Sequence, residues 1–176
     1  MLKDDFPQAR ILVYRYDSDM RHRLQTPAYQ STILDYGQNF LTRLEAQCRD
    51  VNSRPIIFVA HSLGGIIVKE ALRRSEGHRV FQPEYHRIYE LTKAMIFLGT
   101  PHRGADPQSM IRTVVETVVR GAGYQVNENL VSGLLPTAER LKEVREEYMK
   151  MQSIRDWRVV SFVEEYGMRR LGGQKV

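Results

Sequence analysis

The sequence predicts an α/β fold, a mostly parallel sheet with helices on both faces. Three observations lead there. Short, continuously apolar runs such as PIIFVA (Pro55–Ala60) and AMIFLGTP (Ala94–Pro101) read as strands buried on both sides. Longer segments carry apolar residues at helical spacing. The two kinds of segment alternate, as they do when crossover helices connect parallel strands.

RILVYRY (Arg10–Tyr16) is β-branched and aromatic and reads as the first strand, centred on Ile11–Tyr16. In Tyr29–Asp50, residues Ile33, Tyr36, Phe40, Leu41 and Leu44 fall on one helical face. Pro55–Ala60 is the second strand. GGIIVKEALRRS follows it, with Ile67, Val68, Ala71 and Leu72 on one face and Lys69, Glu70, Arg73 and Arg74 opposite. Ala94–Leu98 is the third strand. Met110–Arg120 and Ala138–Met151 read as helices, and WRVVSFVEE (Trp157–Glu165) as a last strand centred on Val159–Val163. Gly121–Gly133 reads as a mobile loop within the domain. These strands are expected to be neighbours in one parallel sheet.

Composition sets the outer bounds. A chain of 176 residues, 42% hydrophobic and 27% charged, suits one domain with a real core. Lys and Arg number 26 against 21 Asp and Glu, a net charge of +5. The basic residues are scattered, so a solvated surface explains them better than nucleic-acid binding. Cys48 is the single cysteine, which rules out an internal disulfide and fits a reducing compartment such as the cytoplasm. The N-terminus, MLKDDFPQAR, lacks the apolar core of a secretory signal, and no apolar run is long enough to span a bilayer. There is no H-E-x-x-H, C-x-x-C or P-loop, so no metal and no cofactor are expected.

Ser62 stands out. It follows a buried strand and precedes a helix, at the carboxyl end of a parallel strand where α/β folds bind ligands. Small residues lie two positions to either side, Ala60 and Gly64, where a tight strand-to-helix turn has least room. That is the G-x-S-x-G nucleophile elbow with alanine for the first glycine. The Leu63 N–H would then face an oxyanion hole, aided by the positive end of the helix. The plainer alternative is that Ser62 caps the helix.

FVAHSLGGIIVKEAL, followed in order by MIFLGTPHRG and VVSFVEE, resembles the serine esterase/lipase group of the α/β-hydrolases. More narrowly it is similar to the serine active site-containing protein family and its fungal relatives, in which such a domain stands before NACHT, ankyrin or tetratricopeptide segments. The resemblance spans Phe6 to Glu165. It implies hydrolysis of an ester or lipid-like substrate through serine, acid and histidine. It places the acid at Glu164, with Glu165 as the neighbouring alternative. It also implies C-terminal partner domains in a longer chain, and adds mitochondrial or endoplasmic-reticulum membrane association as an alternative location.

No histidine follows Glu165, whereas the base of such a triad follows the acid in chain order. The segment that supplies the second oxyanion donor, before the first strand, is also short. The expectation is therefore one partial domain over residues 1–176, truncated at both ends and inactive as it stands. His102, in TPHRG, could approach Ser62 as a surrogate base, although its family counterpart stabilises a loop. His61 should point away from the Ser62 side chain and be structural. His22, His78 and His86 read as surface residues in loop-like contexts. Cys48 reads as a buried or half-buried thiol, and Asp17 and Asp19 as turn residues. Ile111, Val114, Val115, Val118 and Val119 fit a lid or membrane-touching face, but core packing explains them more simply. Two functions remain: a serine acyl hydrolase, or a non-catalytic hydrolase-like interaction module of a signalling protein.

Overall fold

A computed structural model describes residues 2–15, 29–50, 53–100 and 135–162. The elements are α1 (Leu2–Asp5), α2 (Tyr29–Cys48), β1 (Ile56–His61), α3 (Gly64–Gly77), α4 (Pro83–Leu91), β2 (Thr92–Leu98), α5 (Leu135–Ile154) and β3 (Arg158–Phe162). The strands form one parallel sheet in the order β1-β2-β3, flanked by helices. The expected α/β class and three of the four expected strands are present. The expected helix at Met110–Arg120, the loop at Gly121–Gly133, and residues Asp17, Asp19 and His22 lie outside the described residues.

The first expected strand is not one. Residues 10–15 run without strand pairing, although their composition favours strand. They are held by α2 instead. The Arg10 guanidinium donates to the Gln47 carbonyl and side chain at 2.7 and 2.6 Å, and the Tyr14 ring lies 4.7 Å from that of Phe40. Ile11, Leu12 and Val13 stay exposed. β-propensity measures fit to a neighbouring strand, and among the described residues no strand lies against this segment.

The core sits where α2, α3 and α5 meet the sheet. Leu41, Leu72, Ile88, Met95 and Phe97 are fully buried, with Phe58 and Ala60 from β1. Trp157, just before β3, anchors that strand by packing edge-on against Tyr89 and stacking with Tyr148. Pro83 opens α4, where its missing N–H costs nothing. The helix ends as Thr92 turns extended and runs straight into β2.

Two charged residues of α3 expected on the outer face are buried. Glu70 is fully enclosed; Arg73 binds it through Nε and Nη2 at 2.7 and 3.0 Å, and Arg74 at 2.5 Å. Arg74 also donates to Gln38 of α2, and Arg73 to Glu147 of α5, so the cluster joins three helices. Gly37 makes the approach of α2 possible, since a Cβ there would lie 2.9 Å from Glu70 Cβ. Lys69 is buried against the rings of Phe97 and Tyr148, at 5.3 and 5.0 Å. Its burial, with Arg145 nearby, depresses its pKa to about 8.

His86 is likewise not a loop residue. It lies on α4, 11% exposed, with Nδ1 3.1 Å from the Ser75 carbonyl. Buried Ser75 ties the two helices: its hydroxyl donates to the Tyr85 carbonyl at 2.6 Å and accepts the Tyr89 N–H at 2.9 Å. His78 caps the C-terminus of α3, its ring tilted against that of Tyr85 at 5.2 Å. Among the described residues no helix is long and apolar enough to cross a membrane.

Candidate functional site: a strained serine at the end of β1

β1 ends at His61 and α3 begins at Gly64, so Ser62 and Leu63 make the whole connection. Ser62 adopts φ 53°, the one non-glycine residue with positive φ among the described residues. That conformation costs roughly 1–2 kcal/mol for a residue with a Cβ. Hydrogen bonds on both sides of the residue hold it there. The Ser62 N–H donates to the Leu98 carbonyl at 2.8 Å. The Ser62 carbonyl accepts the Gly65 N–H at 3.1 Å and the Thr100 hydroxyl at 3.0 Å.

The helix-cap alternative does not describe this turn. The capping position of α3 is Leu63, and among the described residues no side-chain cap bond is made there. Leu63 is already helical in φ and ψ, and its side chain is buried. Among the described residues its N–H meets no acceptor. A free N–H beside a half-buried hydroxyl at a helix N-terminus can stabilise negative charge on an oxygen placed between them.

The tight position is not the one that spacing suggested. Among the described residues, a Cβ at Gly64 meets nothing within 4 Å. A Cβ at Gly65 would strike Thr100, with the Thr100 Cβ 2.8 Å away. Thr100 was not singled out by sequence reasoning. The available signal was GTP directly after a buried strand. Gly99 takes φ 57°, which turns the chain so that Thr100 lies over the elbow. The Gly99 N–H donates to the Phe162 carbonyl at 2.8 Å, so the carboxyl ends of all three strands are tied together at this edge.

Glu164, Glu165 and His102 lie outside the described residues. Glu164 follows two residues after Phe162, the end of β3. Of the described histidines, His61 is exposed on the same face of β1 as Ile57 and Val59. His78 and His86 sit at the far end of α3, about 20 Å of helix away. None of the three bonds to Ser62. Cys48 is half-buried with its thiol pKa raised by burial, partly countered by Arg10 and Arg87. Among the described residues no cluster of three or more His, Cys, Asp or Glu could hold a metal.

A cavity of about 940 Å³ runs along the outer edge of β1 and reaches His61 and Gly64. Its other wall is the extended segment at residues 10–15.

No family model matches the chain, and no solved structure matches it. Among curated proteins it is similar to Protein SERAC1 from mouse and cattle, each 27% identical over 173 residues, and from human, 26% identical. Each alignment covers 93% of this chain and 23% of the relative, so the chain spans about a quarter of the length of the proteins it matches. The association with fungal proteins gains no support from these matches. The chain is thus a small α/β unit, similar to SERAC1 at low identity over nearly all of its own length.

Proposed function

We propose that residues 1–176 form a single, partial hydrolase-like domain that acts as a non-catalytic interaction module. The observation that carries this reading is the apolar face that β1 presents, with Ile57 62% and Val59 65% exposed beside a cavity and, among the described residues, no strand on the far side of β1. An unpaired edge is a template for another chain. Ser62 has no base beside it among the described residues, and an unassisted serine hydroxyl is a weak nucleophile. In a comparable triad, loss of the histidine costs about a millionfold in turnover.

The second reading is a serine acyl hydrolase acting on an ester or lipid-like substrate. The strained φ of Ser62 favours it, because strain of this kind clusters at reactive sites. In it Ser62 attacks the acyl carbon and the Leu63 N–H binds the oxyanion. Glu164 orients a histidine supplied from beyond the described residues, with His102 as the surrogate to mutate first. C-terminal partner domains and a cytoplasmic or organelle-membrane location belong to the same family-level reading.

Fluorophosphonate labelling and hydrolysis of a nitrophenyl ester decide between them. The module reading expects no labelling above that of Ser62→Ala. Strong labelling abolished by Ser62→Ala would overturn it in favour of the hydrolase.

A further inference from the structure

We propose that Thr100 is a positioning residue for the oxyanion donor: its hydroxyl, bound to the Ser62 carbonyl, fixes the direction of the Leu63 N–H. The chemistry rests on the hydrolase reading of the elbow; the geometry does not.

The Ser62 carbonyl and the Leu63 N–H belong to one peptide unit. That unit is planar and trans, so the two groups point in opposite directions. Whatever holds the carbonyl therefore aims the N–H. Two donors hold it, the Gly65 N–H at 3.1 Å and the Thr100 hydroxyl at 3.0 Å. The first belongs to the opening turn of α3 itself. The second reaches in from the end of β2. A single bond would leave the peptide plane free to tilt about the line of that bond, whereas two bonds from different elements do not.

The preceding peptide unit is fixed as well, because the Ser62 N–H donates to the Leu98 carbonyl at 2.8 Å. Two fixed planes that meet at the Ser62 Cα set φ and ψ, and with them the direction of the Cα–Cβ bond. Thr100 thus aims the hydroxyl-bearing carbon and the Leu63 N–H together. In acyl transfer at Ser62 the oxyanion would develop between those two groups, and a donor stabilises it by being in place before the charge forms.

Thr100 is itself held in place. Gly99, at φ 57°, turns the chain at the end of β2, and its N–H donates to the Phe162 carbonyl of β3 at 2.8 Å. Gly65 lets the Thr100 side chain lie directly against α3, where a Cβ would strike both its Oγ1 and its Cγ2. Thr100 is buried, so its bond to Ser62 is shielded from competing water. Valine would fill the same space and donate nothing.

The test reads the N–H direction itself. One-bond dipolar couplings of the isotope-labelled, partially aligned 176-residue protein report N–H vectors residue by residue. In Thr100→Val the Leu63 N–H should leave its wild-type direction, while those of residues 58–60 and 67–71 keep theirs. Thr100→Ser should return it. Gly65→Ala, which pushes Thr100 aside, should move the same N–H by an independent route. Where wild-type Ser62 labels with fluorophosphonate, the labelling rate should fall about tenfold to hundredfold in Thr100→Val and recover in Thr100→Ser. An unmoved Leu63 N–H in Thr100→Val would overturn the proposal. So would labelling that keeps its wild-type rate in that variant. A disturbance spread along β1 and α3 that Thr100→Ser fails to reverse would also overturn it, since Thr100 would then be merely structural. A moved N–H with no labelling of the wild-type protein would leave the positioning role standing and overturn the hydrolase reading. Ser62-dependent labelling with an unmoved N–H would do the reverse.

Discussion

Replacing Gly65 with alanine isolates what holds the elbow. The new Cβ would collide with the Oγ1 and Cγ2 of Thr100 and lie 2.8 Å from its Cβ. Thr100 is 4% exposed, and its hydroxyl holds the Ser62 carbonyl. Rotating it away sacrifices that bond, about 1 kcal/mol. Overpacking adds about 1–3 kcal/mol, and the better helix propensity of alanine returns up to about 1 kcal/mol. The net expectation is a loss of about 1–3 kcal/mol, or roughly 2–12 °C in melting temperature for a chain of this size. Gly64→Ala is the matched control, since it enters the same first turn of α3 with open space around the Cβ. It should be neutral or stabilising by up to about 1 kcal/mol. Urea denaturation followed by circular dichroism measures both. Adding Thr100→Gly to Gly65→Ala removes the collision, and a double-mutant cycle should return a coupling of about 1 kcal/mol or more. Equal stability of Gly65→Ala and Gly64→Ala would refute the collision and with it the role assigned to Thr100.

Ser75→Ala removes both the bond to the Tyr85 carbonyl and the acceptor of the Tyr89 N–H, and should cost about 2–3 kcal/mol in urea denaturation; a cost under about 0.5 kcal/mol would show that α3 and α4 are held by apolar packing alone. Gly99→Ala puts a Cβ at φ 57° and should cost about 1–2 kcal/mol, whereas Gly77→Ala, with open space and no positive φ, should not. Lys69 gives a pH dependence. Its folded pKa of about 8 lies below the ordinary 10.5, first through burial and then through Arg145. Between those values the unfolded chain binds a proton that the folded chain does not, so stability rises with pH across the window. From pH 7.5 to 9.0, where tyrosines of the unfolded chain are still mostly protonated, the gain should be about 1 kcal/mol. Lys69→Met should flatten the slope, and an unchanged slope in that variant would assign the effect elsewhere.

The sheet was legible because its signal is local. IIFVAH, TKAMIFL and RVVSF are runs of apolar and β-branched residues bounded by turns, and each is a strand. The segment at residues 10–15 carries the same signal and is not one, since strand formation needs a neighbour that no local pattern reveals. The helix α4 escaped because PEYHRIYEL buries only Ile88 and Tyr89, too few positions to show a period. The burial of Lys69 and Glu70 was unreadable for a related reason. Their partners come from α5, β2 and a second turn of arginines, and without those partners a charge on α3 belongs in water. At the elbow the turn itself was legible and its tight glycine was not, because Gly64 and Gly65 differ only in what lies above them, and that is Thr100, on another strand's end.

The elbow and the cavity share β1 and yet are separable. Although His61 and Gly64 line the cavity, Ser62 between them does not. The positive φ explains this. It reverses the direction the side chain would take in a continuing strand, and so turns Ser62 off the line of the β1 edge. The bonds that hold it come from Leu98 of β2, Gly65 of α3 and Thr100 just after β2, rather than from the cavity. About 1–2 kcal/mol of strain is thus offset by hydrogen bonds of about 1 kcal/mol each. Ser62→Ala should therefore change stability by less than about 1 kcal/mol in urea denaturation, since the turn is held through the Ser62 backbone, and Arg54→Glu, at the far end of the cavity, should leave fluorophosphonate labelling of Ser62 unchanged. A loss above about 2 kcal/mol in the first would show that the hydroxyl itself holds the turn, and lost labelling in the second would mean that cavity and elbow form one site.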